Sequence, residues 1–338
     1  MERRRAMLLG AIALAAMVSS GQSPRLEYVK PIGVGWNTDK WGWMSFVAFS
    51  PDGREVASDG ATRPDDVSEN LSFWTFPGGH FNRKVSITPP FDLSADWKYY
   101  VSGQTVRLLS TGRPLFTLGG KQFDAFAFSP DSRYAADALQ PMFGERTGFH
   151  PPVIRIFELP SGKQVNAFGV HLVSSLAFGP DGKTLAAGYW KIVVLRNMFT
   201  GARLATLRGF GRYVESLSFS PDGSYLAAGT DAGDVQIWNL RSRRAIQTLQ
   251  LGGQFVSAPA FSPNSRLLAF GIYGTGTVWL VGVQTGKVLD HKKISDLGCG
   301  SVAFSPDGRY LITPSTGGLI KWPYDRGGTI RVFKVVTR

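Results

Sequence analysis

The pentapeptide FSPDG fills residues 49–53 and returns at residues 219–223 and 304–308. Three further stretches differ from it by one or two letters: FSPDS at 128–132, FGPDG at 178–182 and FSPNS at 261–265. A stretch repeated in this way is either a site used several times or a structural joint that the fold needs several times.

Each copy has the composition of a tight turn between two strands. Proline sets φ for the second position of a turn, Asp or Asn caps the turn with its side chain, and Gly accepts positive φ. Around the second FSPDG, residues 216–219 (SLSF) lead in and residues 225–228 (YLAA) lead out, which predicts a hairpin. A carboxylate site built from Asp52, Asp222 and Asp307 is the functional alternative. We favour the structural turn, because Asp already has a backbone role in such a turn.

The copies recur at a nearly constant interval. Their first residues lie 79, 50, 41, 42 and 43 positions apart along the chain. The interval of 79 contains a degenerate copy, LSADW at residues 93–97, so the chain has seven units. A period of about 40 to 45 residues with four strands in each unit is typical of a β-propeller.

The clearest unit spans residues 207–249, and its third strand ends in Ile237-Trp238-Asn239. No helical period occurs after residue 20, so the sequence predicts an all-β chain. The four predicted strands of this unit are residues 215–220, 224–228, 234–239 and 245–249. A Thr-Gly or Ser-Gly turn follows the third strand of four other units: Thr111-Gly112, Ser161-Gly162, Thr200-Gly201 and Thr285-Gly286.

These features together resemble the WD40 (Trp-Asp) repeat family, from roughly residue 24 to the end of the chain. The final Asp of the family's dipeptide is replaced here by Asn239 in the best unit and by Glu158 in another. The Gly-His that precedes the first strand in the family is missing. The hydrogen-bond network of His, Ser/Thr, Asp and Trp that is typical of the family is therefore not expected in this chain.

The ends of the chain bear on the number of units. The last unit stops after its third strand, near residues 329–336, and a spare strand-like run stands at residues 25–29. The spare strand can complete the last blade and leave no unpaired edge. We therefore expect residues 21–338 to form a seven-bladed β-propeller of four-stranded antiparallel blades, with the ring closed by the N-terminal strand.

Residues 1–20 have the composition of an export signal. A basic stretch, ERRR at residues 2–5, precedes 13 apolar residues at 6–18. Thirteen residues are short for a membrane span, so we expect a signal peptide read by the Sec or the twin-arginine route. An uncleaved anchor is the alternative. The lone Cys299 rules out a disulfide within the chain, and the combination favours a periplasmic or secreted bacterial protein.

The chain is basic, with a net charge of +12 that falls to +10 when residues 1–20 and their three Arg and one Glu are removed. An exported protein rarely meets nucleic acid, so we expect none as a partner. Anionic envelope polymers or phospholipid headgroups fit the charge better. The short clusters Arg241-Ser242-Arg243-Arg244 and Lys292-Lys293 fall in connections and are taken as solvated turns.

No residue pattern predicts catalysis. The sequence GTGT at residues 274–277 precedes a strand rather than a helix, so it lacks the helix dipole of a phosphate site. No catalytic residue, metal ligand or cofactor is expected. Four His residues lack the pairwise spacing of metal ligands: His80, His150, His171 and His291.

Residues that the repeat does not require form four insertions, at 33–43, 60–70, 140–152 and 317–328. The first joins one unit to the next, and the others join second to third strands. In a four-stranded meander these connections leave from one face. Exposed Trp, Tyr and Arg are typical of binding hot spots, although these aromatic side chains could instead pack over the channel. The predicted partner-binding residues are Trp36, Trp41, Trp43, Arg63, Phe143, Arg146, Phe149, Trp322, Tyr324 and Arg326.

The sequence thus predicts an exported, non-catalytic and monomeric interaction propeller that binds a protein or an anionic envelope component through one face. The alternative is a propeller hydrolase or lactonase with a metal or acidic site at the channel mouth. Its residues would be Asp65, Asp66, Glu69 and His150. A resemblance to the TolB propeller is weaker, because that propeller has six blades and lacks the third-strand Trp.

Overall fold

The computed structural model describes residues 23–32, 46–59, 70–88, 91–118, 123–139, 152–295, 298–316 and 329–337. Within these ranges every regular element is a β-strand, and consecutive strands pair in antiparallel sheets. The predicted all-β architecture of four-stranded antiparallel sheets is confirmed. We number the sheets 1 to 7 in chain order.

Sheets 1 to 3 each take four consecutive strands. Sheet 1 contains β2 (Val47–Phe49), β3 (Glu55–Asp59), β4 (Asn70–Thr75) and β5 (Phe81–Ser86). Sheet 2 contains β6 (Phe91–Leu93), β7 (Tyr99–Ser102), β8 (Thr105–Leu108) and β9 (Pro114–Thr117). Sheet 3 contains β10 (Phe123–Phe128), β11 (Tyr134–Leu139), β12 (Val153–Glu158) and β13 (Gln164–Gly169).

Sheets 4 and 5 share one long strand, β17 (Arg203–Phe219), whose first part pairs with β16 and whose second part pairs with β18. The other strands of sheet 4 are β14 (Ser175–Phe178), β15 (Thr184–Gly188) and β16 (Trp190–Asn197). The other strands of sheet 5 are β18 (Tyr225–Thr230), β19 (Asp234–Asn239) and β20 (Arg244–Gln250). Sheet 6 contains β21 (Ala260–Phe261), β22 (Leu267–Ile272), β23 (Thr277–Gly282) and β24 (Val288–Lys293).

Sheet 7 is built from both ends of the chain. The N-terminal strand pairs antiparallel with the last strand, from Arg25 opposite Val336 to Ile32 opposite Ile330. The spare run predicted at residues 25–29 therefore takes the outer position of this sheet and extends to Ile32. The strands of sheet 7 are β25 (Gly298–Cys299), β26 (Ala303–Phe304), β27 (Tyr310–Thr316), β28 (Thr329–Val336) and β1 (Arg25–Ile32).

The repeated pentapeptide forms the turn between the first and second strands of a sheet. In sheet 5 the Ser220 hydroxyl donates to Asp222 Oδ1 at 2.6 Å, and the Ser224 amide donates to the same oxygen at 3.0 Å. The Tyr225 amide donates to Ser220 Oγ at 2.9 Å, and Gly223 has φ of 70°. The Asp carboxylate is thus used by its own turn, as the structural interpretation predicted.

These bonds hold the turn Asp in its ionised form. Burial opposes ionisation of Asp222, but hydrogen bonds from Ser220, Ser224 and Ser265 outweigh it and lower the pKa of this carboxyl. In sheet 6 the equivalent residue is Asn264, which still accepts from the Ser262 hydroxyl at 2.7 Å and from the Arg266 amide at 3.1 Å. The amide therefore reproduces the geometry without the charge.

Each buried apolar cluster combines residues of two neighbouring sheets. Leu280 of sheet 6 packs in one cluster with Leu311 of sheet 7, and Val56 of sheet 1 packs in another with Ile312 of sheet 7. Neighbouring sheets also form polar contacts: the Val47 amide of sheet 1 donates to the hydroxyl of Ser301, which precedes β26 of sheet 7, at 2.9 Å. The core is therefore divided between the sheets rather than gathered in one centre.

The turn between third and fourth strands rests on the preceding sheet. Gly162 has φ of 70°, and a Cβ on it would lie 2.4 Å from Cγ of Phe116 in the outer strand of sheet 2. A side chain would therefore be strained twice, by the backbone and by the neighbouring ring. This contact gives a physical reason for Gly in the repeated Ser-Gly and Thr-Gly turns.

The first strand of sheet 2 carries an unusual charge. One place before the turn, six sheets have a small residue, and sheet 2 has Asp92. Burial raises the pKa of Asp92 to about 7, against a single hydrogen bond from the Leu93 amide at 2.8 Å. The small residues at this place are Ala48, Ala127, Ala177, Ser218, Ala260 and Ala303.

The turn network predicts a graded effect at Asp222. Asp222→Ala removes the acceptor for Ser220 and Ser224 and should lower the free energy of unfolding by about 1 kcal/mol in urea denaturation at neutral pH. Asp222→Asn should lose less, because Asn264 makes the same bonds in sheet 6. Equal losses in the two variants would contradict the role given to the acceptor oxygen.

The raised pKa of Asp92 predicts that the free energy of unfolding of the protein decreases as pH rises. Its folded pKa of about 7 lies above the ordinary value of 3.8, so the folded chain binds this proton more tightly than the unfolded chain does. The carboxyl therefore costs stability progressively between these two values and fully above pH 7. Asp92→Asn should raise the melting temperature at pH 8, and this gain should disappear near pH 4.

Asp96 is the matched control for Asp92. Burial acts against its ionisation, but bonds from Lys98, Ser132 and Ser94 lower the pKa of Asp96. Asp96 therefore contributes stability above its unfolded pKa that is lost as pH falls, and Asp96→Asn should lower the melting temperature at pH 8. A pH-independent effect of Asp92→Asn would show that burial of the charge is not the cause.

Candidate interaction surface

Strand register decides from which end of a sheet each connection leaves. In sheet 5, Tyr225 pairs with Asn239 beside the repeated turn, and Gly229 pairs with Val235 at the other end. We call the end with the first-to-second and third-to-fourth strand turns the turn face. The end with the second-to-third strand connections and the links between sheets is the insertion face.

The ten predicted partner-binding residues lie outside the described residues. The strand ends that flank the second-to-third strand insertions are described, and they lie on the insertion face. These flanking pairs are Asp59 with Leu71, Leu139 with Val153, and Ser315 with Thr329. The predicted residues outside the described ranges are Trp36, Trp41, Trp43, Arg63, Phe143, Arg146, Phe149, Trp322, Tyr324 and Arg326.

The described part of the insertion face carries an exposed aromatic pair in sheet 4. Trp190 is 61% exposed, and its ring stacks on Tyr213 with centroids 6.2 Å apart. The two residues are opposite one another where β16 pairs with β17. Lys191, with φ of 65°, places its Nζ 4.8 Å from the centroid of the Trp190 ring. Pairing of β16 with the long β17 thus presents the indole at the surface.

A second aromatic pair lies beyond sheet 5. The rings of Phe255 and Tyr273 stack with centroids 4.7 Å apart and an angle of 11° between their planes. The Tyr273 amide donates to the Phe255 carbonyl at 2.9 Å, which holds the two connections together. Phe255 is exposed and Tyr273 is half-buried.

Backbone hydrogen bonds make these connections one continuous surface. The Val214 amide donates to the Tyr189 carbonyl at 3.3 Å, and the Asp231 amide donates to the Tyr213 carbonyl at 3.2 Å. The Val256 amide donates to the Thr230 carbonyl at 3.1 Å. We call this surface the aromatic arc and define it by Trp190, Tyr213, Phe255 and Tyr273.

Charged groups of both signs lie between the two aromatic pairs. Burial raises the pKa of Glu215, and the Asp231 carboxylate raises it further. Burial also raises the pKa of Asp234, Arg212 opposes this, and Asp231 adds to it. The arc is therefore an apolar surface interrupted by a mixed set of charges.

Sequence reasoning missed the aromatic arc because it looked for long insertions. Trp190 begins β16 and Tyr273 directly follows β22, so both adjoin connections of only a few residues, which do not stand out as insertions in the repeat. The available signal was residue type. Sheet 5 uses Asp231-Ala232-Gly233 between its second and third strands, whereas sheet 4 places Tyr189-Trp190-Lys191 near the same connection.

Two buried polar side chains of the interior, Gln236 and Asp137, have structural partners. Trp238 Nε1 donates to Gln236 Oε1 at 3.1 Å, and Gln236 Nε2 donates to the Gly209 carbonyl at 2.9 Å. Gln236 is thus the side-chain partner of Trp238, the Trp of the repeat. The family's Gly-His is missing from the sequence, and a different residue takes the role of partner here. Asp137 is fully buried and ion-paired with Arg155 on the adjacent strand. Burial raises the pKa of Asp137, and Arg155 offsets part of that rise.

The described residues bear on the enzyme alternative through their possible metal ligands and nucleophiles. They contain no group of three or more His, Cys, Asp or Glu arranged to hold a metal ion. The residues of the hydrolase alternative, Asp65, Asp66, Glu69 and His150, lie outside them. Cys299 is buried, and burial raises the pKa of its thiol to about 12. No helix in the described ranges is long and apolar enough to cross a membrane.

Two segments of the chain match a protein-family model. The model is the WD domain, G-beta repeat, and it matches residues 162–195 and 201–239. The first match runs from β13 into β16, and the second covers β17 to β19. A search of curated proteins found no match to the chain. These two matches confirm the resemblance to the WD40 repeat family that the repeated turns and the third-strand Trp predicted.

Proposed function

We propose that the chain forms one closed ring of seven four-stranded blades, with β1 as the outer strand of the last blade. Three observations support this. Each buried cluster joins neighbouring sheets, sheet 7 packs against both sheet 6 and sheet 1, and β1 pairs along β28. The turn of sheet 7 also reaches that of sheet 1, where a Cβ on Gly53 would lie 3.4 Å from Pro306.

We propose that this ring is a non-catalytic interaction module whose insertion face binds a protein partner. WD40 repeats generally mediate protein–protein interaction. The observation that carries the proposal is the aromatic arc. Trp190 and Phe255, each stacked on a second ring, are exposed on the same face from which the predicted insertions leave.

The physical reason is the cost of exposing these rings to water. A large aromatic side chain that is mostly exposed gains its full burial energy only when another surface covers it. Stacking on a second ring fixes its orientation beforehand, so less side-chain entropy is lost on binding. Aromatic residues prepared in this way are typical hot spots. Predicted residues such as Trp322 and Trp41 would extend the arc around the same face.

The proposal includes export to the periplasm or the cell exterior of a bacterium. Residues 1–20 have the order of a signal peptide, basic and then apolar. The partner is then a protein or an anionic component of the envelope rather than nucleic acid, and the exported ring is a monomer. No ion or cofactor is part of this function.

Removing the aromatic arc should weaken partner binding. Trp190→Ala/Tyr213→Ala deletes a stacked and exposed pair, and we expect the affinity for a captured envelope protein to fall by about 30-fold or more. Partners are captured from envelope extract with the wild-type protein, and affinity is then measured by calorimetry with the purified partner. The matched control is Phe199→Ala/Leu204→Ala, which removes two exposed apolar side chains outside the arc.

A second variant tests the predicted extension of the surface. Trp322→Ala/Tyr324→Ala should weaken the same partner, whereas the control pair should leave its affinity unchanged. If both variants fold normally and recover the partner with wild-type affinity, the insertion face is not the binding face.

Export has its own test. N-terminal sequencing of protein purified from its native cell should find a mature chain that begins near Gly21. Folded protein in the cytoplasm that still begins with Met1 would contradict export and the choice of envelope partners.

A further inference from the structure

The turn face carries a ring of positive charge. The third-to-fourth strand turns of sheets 2, 3, 5 and 6 contain five Lys and Arg residues and no carboxylate, and Arg244 begins the strand that follows the sheet 5 turn. All six of these basic residues are exposed. The turns are residues 109–113, 159–163, 240–243 and 283–287, and the six cations, here called the basic ring, are Arg113, Lys163, Arg241, Arg243, Arg244 and Lys287.

The cations of the basic ring lack carboxylate partners. Among the described residues, none of the six has a carboxylate oxygen within the 4 Å of an ion pair. The inner turns of the same face differ, because Lys98 pairs with Asp96 at 2.9 Å and Arg309 pairs with Asp307 at 2.6 Å. The inner turns are thus largely neutralised, while the outer turns keep their charge.

The insertion face shows no such excess. Its described connections and strand ends carry five basic residues, against the four acidic residues Asp59, Glu215, Asp231 and Asp234. The basic residues are Lys191, Arg208, Arg212, Lys292 and Lys293. The turn face therefore carries an excess of positive charge, whereas the insertion face carries charges of both signs. The net charge of the chain of +12 is not spread evenly over its surface.

Exposed Phe side chains accompany the basic ring. Phe199 lies within the third-to-fourth strand turn of sheet 4 and is 45% exposed. Phe81 is the first residue of β5, directly after the corresponding turn of sheet 1, and is also exposed. The cations and these Phe rings come from different turns of the same face. A face that exposes both apolar rings and uncompensated cations has the composition of a surface that lies at a bilayer interface.

From these observations we infer that the turn face docks onto an anionic phospholipid bilayer. The cations belong to the turns of four different sheets, with three of them at sheet 5, so they can meet several headgroups of an extended surface at once. A single polymer strand would instead be matched by cations that follow one groove. The turns are short, which lets their cations and Phe rings reach a flat surface together. Each Lys or Arg near an anionic bilayer strengthens binding by about fivefold.

This orientation is compatible with the proposed function and does not depend on it. A turn face that rests on a bilayer directs the insertion face, with Trp190 and Phe255, away from the lipid. A partner could then bind the aromatic arc while the ring stays on the membrane surface.

Vesicle co-sedimentation tests the inference with two charge-matched variants. The vesicles contain phosphatidylglycerol and phosphatidylcholine in equal parts, or phosphatidylcholine alone. One variant is Arg241→Gln/Arg243→Gln/Arg244→Gln on the turn face. The control is Lys191→Gln/Arg208→Gln/Arg212→Gln on the insertion face, which removes the same three charges. Melting temperatures establish that both are folded.

We expect wild-type protein to bind the anionic vesicles at low salt and to be released from them at high salt. It should not bind vesicles of phosphatidylcholine alone. The turn-face variant should lose about 100-fold in the partition coefficient, and the control should stay within about twofold of wild type. Phe199→Ala should weaken binding a further several-fold, because its ring enters the interface.

Three results would overturn the inference. The first is no binding of wild type to the anionic vesicles. The second is an equal loss in both triple variants, which would reduce the effect to net charge. The third uses soluble polyglutamate as a probe. If wild type binds it as tightly as the vesicles and the turn-face variant loses both equally, the basic ring is a site for anionic polymers instead of a bilayer.

Discussion

The Asp or Asn side chain of the repeated turn is the constraint on which the architecture depends; it accepts from a Ser hydroxyl in six sheets and from the Thr184 hydroxyl in sheet 4. In sheet 5 this bond joins Ser220 to Asp222 and ties the start of the second strand back to the turn. It thereby fixes the register of the first two strands. A slip of one residue would send the buried Leu226 and Ala228 to the opposite side of the strand. Turn and insertion faces exist because the register repeats from sheet to sheet.

Much of this fold could be predicted because its decisive signals are local. A Pro-Asp-Gly turn is determined by adjacent residues. Even the degenerate copy LSADW keeps the hydrogen bond from the Ser94 hydroxyl to Asp96. The long strand β17 could not be predicted in this way. Residues 209–213 look like a link between units, yet Tyr213 pairs with Trp190 and extends the strand from Arg203 to Phe219. That extension depends on a partner distant along the chain.

The candidate surface was predictable only in part, for a related reason. Long insertions are visible by subtraction, so residues such as Trp322 could be named from the sequence. Trp190 and Phe255 are each stacked on a ring from a different segment, Tyr213 and Tyr273. Neither stacked pair can be recognised from one continuous stretch of sequence. The partner of Trp238 is a similar case. The missing Gly-His indicated that the usual network is absent, but not that Gln236 would replace it.

The two faces meet different physical demands, and this explains how their chemistry diverges. Turns on the turn face are held short by contacts with the neighbouring sheet, such as Gly162 against Phe116, so they vary mainly in the side chains that point to water. The Asp carboxylates of the inner turns accept from their own Ser and amide groups, and their ion pairs are with a cation of the same turn, such as Lys98 or Arg309, rather than with the outer turns. Positive charge therefore accumulates on one face. The insertion face carries stacked aromatic rings among charges of both signs, so a strongly basic chain keeps a surface on which a protein can be recognised by shape and apolar contact.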